Sequence, residues 1–235
     1  MSGRVPLVLL PGLLCDNALW KHQVVELADL AECKVLVMTE DNTMAGMAAR
    51  VLDEAPAKFA LAGLSMGGYC AFEIMRQAPD RVDRLALLDT SHEADAPSRR
   101  SERLAWIAKA KTHGLEALIS DHMDMWLHPQ HRKDEALVAE VAGSARNVGL
   151  VAYERQLTAI MNRRDSSPTL ASISCPTLVL CGRQDLTTPV QLHEAMADNI
   201  EGAELVIVED SGHLPTLEKP DVVSAALRRW LDVGV

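Results

Sequence analysis

The sequence predicts an α/β protein, a mostly parallel, doubly wound sheet of about six strands with a helical segment inserted between two of them. Short aliphatic runs alternate with longer amphipathic stretches along most of the chain. Each run is almost continuously apolar rather than alternating, the pattern of a strand covered on both faces. Between residues 93 and 164 the alternation stops and only helix-like sequence remains.

In chain order the strand candidates are Val5–Leu10, Lys34–Met38, Phe59–Leu64, Leu85–Asp89, Thr177–Cys181 and Leu205–Val208. Helices are expected near Leu19–Leu30, Met44–Glu54, Met66–Gln77, Val190–Asn199 and Pro220–Val233. Within the strandless stretch, Leu104, Ile107 and Ala108, and later Leu150, Tyr153, Leu157 and Ile160, recur at helical spacing, punctuated by Gly114, Pro129 and Gly143. The chain therefore divides into a core of residues 1–92 and 165–235 and a helical lid over residues 93–164. The polar, turn-rich Asn162–Ser174 reads as the return path to the sheet.

A length of 235 residues suits one large α/β domain. Hydrophobic residues make up 48% and aromatic residues only 3%, so the core must be aliphatic. A formal net charge of −10 favours solubility and argues against a nucleic-acid partner, whose phosphates need clustered Lys and Arg. Five cysteines at irregular spacings, mostly beside apolar runs, fit reduced buried thiols better than a disulfide framework. The opening MSGRVPLVLLPG has an apolar run too short for a signal peptide, and no stretch reaches the length of a membrane span. The expectation is a cytoplasmic protein without a membrane partner, with monomer and homodimer both open.

Gly63-Leu64-Ser65-Met66-Gly67 matches G-x-S-x-G. The pattern alone is weak, because three fixed positions recur by chance. Its setting strengthens it: a strand candidate ends at the motif and a helix candidate begins there, the context a nucleophile elbow needs. A serine hydroxyl requires a base, itself held by an acid. His213, in Asp210-Ser211-Gly212-His213 after the last strand candidate, is the base candidate; the other histidines fall on helices, in the lid or after a different kind of turn. Two acids compete, Asp185 in Gly182-Arg183-Gln184-Asp185 and Asp89 at the end of Leu85–Asp89. Both satisfy the chain order Ser, Asp, His, and Asp185 is favoured for its place after a strand's carboxyl end. An oxyanion needs two backbone N–H groups. Met66, at a helix N-terminus, offers one, and the loop Pro11–Cys15 the other, with Leu13 preferred to Leu14.

The segments LLPGLLCDNALW, GLSMGGYCAFEIM, LVLCGRQDLTTP and VEDSGHLPTLEKP resemble successive signature segments of the α/β-hydrolase family, in particular its short, lidded branch of esterases, enol-lactonases and carbon–carbon bond hydrolases. The resemblance covers most of the chain outside the lid. It implies Ser65, Asp185 and His213 as a triad and Leu13 with Met66 as the oxyanion hole. Two departures stand out. Many relatives carry His-Gly where this chain has Pro11-Gly12, so the imidazole that would brace the loop is absent. Only Met1–Arg4 precede the first strand candidate, which points to six parallel strands without an opening antiparallel hairpin.

Asp121, His122, Asp124, His128 and His131 cluster in sequence, but Pro129 interrupts a shared helical face and no metal spacing is matched, so no metal is expected. Leu14 and, from the lid, Met123, Met125 and Trp126 are expected to line a substrate pocket, with core packing the alternative reading for the lid residues. Arg99, Arg103 and their neighbour Arg100 read as a solvated helix face or, more sharply, as a contact for a carboxylate-bearing substrate. The expected function is acyl transfer to water on a small to medium carboxylic ester, lactone or thioester, without a cofactor. A carbon–carbon bond hydrolase or lyase using the same residues, and a low-turnover binding protein, are the alternatives.

Overall fold

The computed structural model describes residues 3–232. Six strands form one sheet: β1 (Val5–Leu10), β2 (Ala31–Val35), β3 (Phe59–Leu64), β4 (Val82–Leu88), β5 (Thr177–Gly182) and β6 (Glu204–Val208), in the order β2-β1-β3-β4-β5-β6. All five pairings are parallel. β3 and β5 are buried along their whole length, as their unbroken aliphatic runs require when helices cover both faces.

β2 is the one strand displaced from its expected place. Lys34–Met38 is the apolar run, but Ala31–Val35 carries the pairing, with Val5 opposite Ala31 and Leu9 opposite Val35. At the sheet edge one side of the strand has no neighbour, so exposed Glu32 and Lys34 are tolerated and apolarity no longer marks the paired residues.

Between the strands lie α1 (Lys21–Glu26), α2 (Met44–Glu54), α3 (Met66–Gln77) and α8 (Val190–Asn199), and α10 (Pro220–Asp232) follows β6. The stretch expected as a helix from Leu19 to Leu30 is a 3-10 turn at Asn17–Trp20 followed by the short α1. The expected end of the last helix, Val233, lies outside the described residues. α2 begins at Thr43, whose hydroxyl accepts the Gly46 N–H and caps the first turn. α2 packs against α3, and α1 against α10.

Three longer helices separate β4 from β5: α4 (Pro97–His113), α5 (Glu116–Trp126) and α6 (Glu135–Met161), the last broken at Gly149, where φ is 79°. A single turn, α7 (Ser167–Leu170), leads back to β5, and another, α9 (Pro215–Glu218), precedes α10. No helix among the described residues is long and apolar enough to cross a membrane. All five cysteines are unpaired.

The register places the strand ends together. Leu10 is opposite Gly63, Leu64 opposite Leu88, Leu88 opposite Leu180 and Gly182 opposite Val208. The loops after β1, β3, β4, β5 and β6 therefore open on one edge. After β2 the chain returns to the other side of β1, so the loops following β1 and β3 diverge at a topological switch point, where α/β sheets leave a crevice.

Candidate active site

Ser65 stands in that crevice, between the last residue of β3 and the first of α3. Its φ of 54° and ψ of −112° are a strained conformation for a residue with a Cβ. Two close approaches hold it. A Cβ on Gly67 would lie 2.2 Å from the Leu10 carbonyl oxygen, and one on Gly63 would lie 2.4 Å from the Gly67 backbone. Only glycine at these positions lets α3 start this close to β1 and β3. The Ser65 N–H donates to the Leu88 carbonyl, and the Thr90 hydroxyl donates to the Ser65 carbonyl at 2.8 Å.

The Ser65 hydroxyl lies 2.9 Å from Nε2 of His213, whose Nδ1 is 2.7 Å from Oδ2 of Asp185. All three residues are buried. The Thr187 and Thr188 N–H groups donate to Asp185 Oδ1, and the Thr188 hydroxyl donates to Oδ2 at 2.6 Å. Burial pushes the Asp185 carboxyl up, but the facing His213 charge, with hydrogen bonds from His213 and Thr188, more than reverses this and holds it below the usual carboxylate range.

Asp89, the rival acid, is fully buried beside this pair. Its Oδ1 accepts the Gly182 N–H at 2.9 Å, and its Oδ2 has no hydrogen-bond partner among the described residues. Burial first, and then the Asp185 charge, raise its carboxyl well above the usual range, which favours the protonated form. Of the two candidate acids, the geometry sets Asp185 against the imidazole. Asp89, Asp185 and His213 offer three ligating atoms within 4.8 Å of one another, but a metal there would have to displace the bond between His213 and Asp185.

The loop after β1 closes the other side. A Cβ on Gly12 would touch Ser65 Cβ at 3.4 Å, and Leu13 follows in the cavity wall. The N–H groups of Leu13 and Met66 have no protein acceptor among the described residues. Leu14 corrects the expectation: its N–H donates to Gln156 Oε1 at 3.1 Å and its side chain is in the core, so it neither serves the oxyanion nor lines the pocket. Gln156, fully buried on α6, also donates to the Met38 carbonyl at 2.8 Å and so braces this loop in place of the missing imidazole. Ser144 and Asn147, also on α6, bind Asp16 at the loop's far end.

Glu218 organises the histidine loop. Its carboxylate accepts the N–H groups of Gly212, Leu214 and His128 and pairs with the His131 ring. Sequence reasoning missed both Gln156 and Glu218, since a polar residue on a helix face carries no mark of its distant partner.

The cavity over Ser65 is lined by apolar residues, among them Leu13, Leu64, Ile160, Trp126 and Met125, and by Arg99 and Arg103. Trp126 is where the sequence places it. Met123 is not: it lines a separate surface depression with Glu116 and Arg146. On α5 the residues spaced three and four apart, His122, Met125 and Trp126, face the cavity, and Met123 lies one helical step round. The acidic and histidine cluster of the sequence is dispersed. Asp121 pairs with Lys109, Asp124 with Arg132, His131 with Glu218, and His122 with the Tyr153 hydroxyl at 3.1 Å.

A sequence profile described as the alpha/beta hydrolase fold matches residues 42–220. The chain belongs to that family. It is similar to a thermophilic esterase from Thermogutta terrifontis, with 30% identity, a TM-score of 0.87, and coverage of 98% of this chain and 90% of that one. The enol-lactonase of Burkholderia xenovorans superposes with a TM-score of 0.87 at 24% identity, covering 98% and 92%. Pimeloyl-[acyl-carrier protein] methyl ester esterase of Legionella pneumophila is 26% identical across 93% of this chain and 91% of its own. Matches to curated relatives span from 64% to 94% of those proteins' lengths.

Proposed function

We propose that the protein is a serine esterase that transfers the acyl group of a small or medium carboxylic ester, lactone or thioester to water. The observation that carries this reading is the chain of contacts from Ser65 Oγ to His213 Nε2 at 2.9 Å and from His213 Nδ1 to Asp185 Oδ2 at 2.7 Å, beneath a partly apolar cavity. Ser65 attacks the carbonyl carbon while His213 Nε2 takes its proton. Asp185 holds the Nδ1–H tautomer and stabilises the imidazolium. The oxyanion forms beside the free N–H groups of Leu13 and Met66. His213 then protonates the leaving alcohol, a water repeats the attack on the acyl-enzyme, and the acid leaves with Ser65 restored. Helices α4, α5 and α6 act as a lid that shapes the acyl pocket and limits water.

Esterase relatives along most of the chain add support. A series of p-nitrophenyl esters of rising acyl length tests the reading. Ser65-dependent turnover that falls off with chain length is expected; no turnover of any member would move the assignment to carbon–carbon cleavage or ligand binding.

A further inference from the structure

Resting on the esterase reading, we propose that His193 and Thr90 are positioning residues. The buried imidazole of His193 holds Thr90, and Thr90 holds the turn of Ser65, so that the nucleophile and the loop of its acid are tied together through α8.

His193 lies in the first turn of α8 and is fully buried. Its Nε2 accepts the Thr90 N–H at 2.9 Å. A ring nitrogen that accepts carries a lone pair, so the proton of the neutral ring is on Nδ1, which donates to the Pro189 carbonyl at 3.3 Å. Burial lowers the pKa of this ring to about 4, against the upward pull of Asp185, so the accepting, neutral form is the one present near neutral pH. Pro189 ends the short loop in which the Thr187 and Thr188 N–H groups hold the Asp185 carboxylate.

The other end of the tie is the nucleophile. Thr90, also fully buried, is the second residue after β4. The sheet supplies acceptors as far as the Asp89 N–H, which donates to the Leu180 carbonyl. The Thr90 N–H is the first beyond it, and without the imidazole it would be a buried donor with no partner. The Thr90 hydroxyl donates to the Ser65 carbonyl at 2.8 Å, which also accepts the Gly68 and Tyr69 N–H groups at the start of α3. The fit is close: a Cβ on Gly68 would lie 2.3 Å from Thr90 Oγ1. Ser65 and Asp89, on either side of this bond, have φ of 54° and 40°, and strained backbone keeps its shape only where neighbours hold it. A small shift of Ser65 spoils the attack while the cavity's contacts with substrate remain, so the loss belongs in kcat.

The test reads kcat and KM for p-nitrophenyl butyrate together with the rate at which a fluorophosphonate labels Ser65. Thr90→Val and His193→Leu should each lower kcat and the labelling rate on the order of 10- to 100-fold, with KM changed by less than about twofold. Thr90→Ser keeps the hydroxyl, and His193→Gln places an accepting oxygen where Nε2 was, so both should stay within about threefold of wild type. Because one residue acts through the other, the double variant should lose no more than the worse single variant. Thr90→Val preserves side-chain shape and keeps the proposal testable should His193→Leu not fold. Leu231→Ala, in the core beside Trp230 at the opposite edge of the sheet, should lower the denaturation midpoint and leave kcat unchanged. Unchanged kcat and labelling in Thr90→Val, a loss carried by KM, no recovery in Thr90→Ser and His193→Gln, losses that multiply in the double variant, or an equal loss in Leu231→Ala would overturn the proposal. Any of these in a protein whose wild type is labelled and cleaves the ester leaves the esterase reading standing. A wild-type protein that neither takes the probe nor cleaves the ester would defeat both.

Discussion

The two halves of the cavity are held by different means. On the sheet side, backbone geometry does the holding. Leu14, Ser65, Asp89 and Asp210, the non-glycine residues with positive φ among the described residues, all lie in loops at the carboxyl ends of strands. Strain of this kind persists only where surrounding structure over-determines it. On the helical side, positive φ falls only on Gly114 and Gly149, and side chains make the attachments. Gln156 ties α6 to the loop after β1, the Trp126 carbonyl accepts the His213 N–H, and Asp95 gathers Arg103 and Arg163. Chemistry thus rests on a frame that tolerates little change, and selectivity on contacts that can be exchanged singly.

Substitutions on the sheet side should therefore remove turnover without altering substrate preference. Ser65→Ala is expected to lower kcat by on the order of 10⁴- to 10⁶-fold with an unchanged circular-dichroism spectrum. A loss below tenfold would break the distinction at its root.

The next largest effect separates the acids. Asp185→Asn should cost about 10⁴-fold in kcat through the wrong imidazole tautomer. Asp89→Asn, which leaves the bond between His213 and Asp185 in place and replaces the carboxyl by an amide of the same shape, should cost less than about tenfold. Their pH dependences have opposite signs. The raised Asp89 carboxyl stabilises the fold at low pH and loses that contribution as pH rises through its folded value, so Asp89→Asn should flatten the alkaline-going loss of stability. The lowered Asp185 carboxyl contributes above the unfolded value and loses it as pH falls, so Asp185→Asn should flatten the acid limb. Denaturation midpoints across pH read both.

A smaller effect belongs to the join between the halves. Gln156→Leu leaves the buried Leu14 N–H unpaired and should destabilise the protein by about 1–3 kcal/mol. Loosening the donor loop should also lower kcat by about tenfold, less than losing an oxyanion donor outright. The smallest effect is on the thiols. Burial raises the Cys15 pKa to about 12 and that of Cys33 to about 11, so alkylation by iodoacetamide at neutral pH should be slow until the protein is unfolded.

The same contrast explains what could be read in advance. The six-stranded sheet, α2, α3 and α8, and the spacing of Ser65, Asp185 and His213 were legible because buried parallel strands must be continuously apolar and because a nucleophile turn demands glycine at 63 and 67. β2 slipped by three residues because an edge strand obeys a weaker rule. On the helical side, periodicity located the helices but not which face looks inward, so Met123 was placed in the cavity alongside Met125 and Trp126, and only the latter two line it. Arg103 was visible only as a member of a basic patch. Its partner Asp95 is eight residues away and Arg163 sixty more, and no local pattern links them.

The central claim is that Ser65 is the activated nucleophile. A fluorophosphonate probe followed by intact-mass and peptide mapping tests it most directly. One adduct, on Ser65, is expected in the wild-type protein, with labelling sharply slowed in His213→Ala and absent in Ser65→Ala. Labelling that persists in Ser65→Ala, or that maps to another residue, would contradict the account.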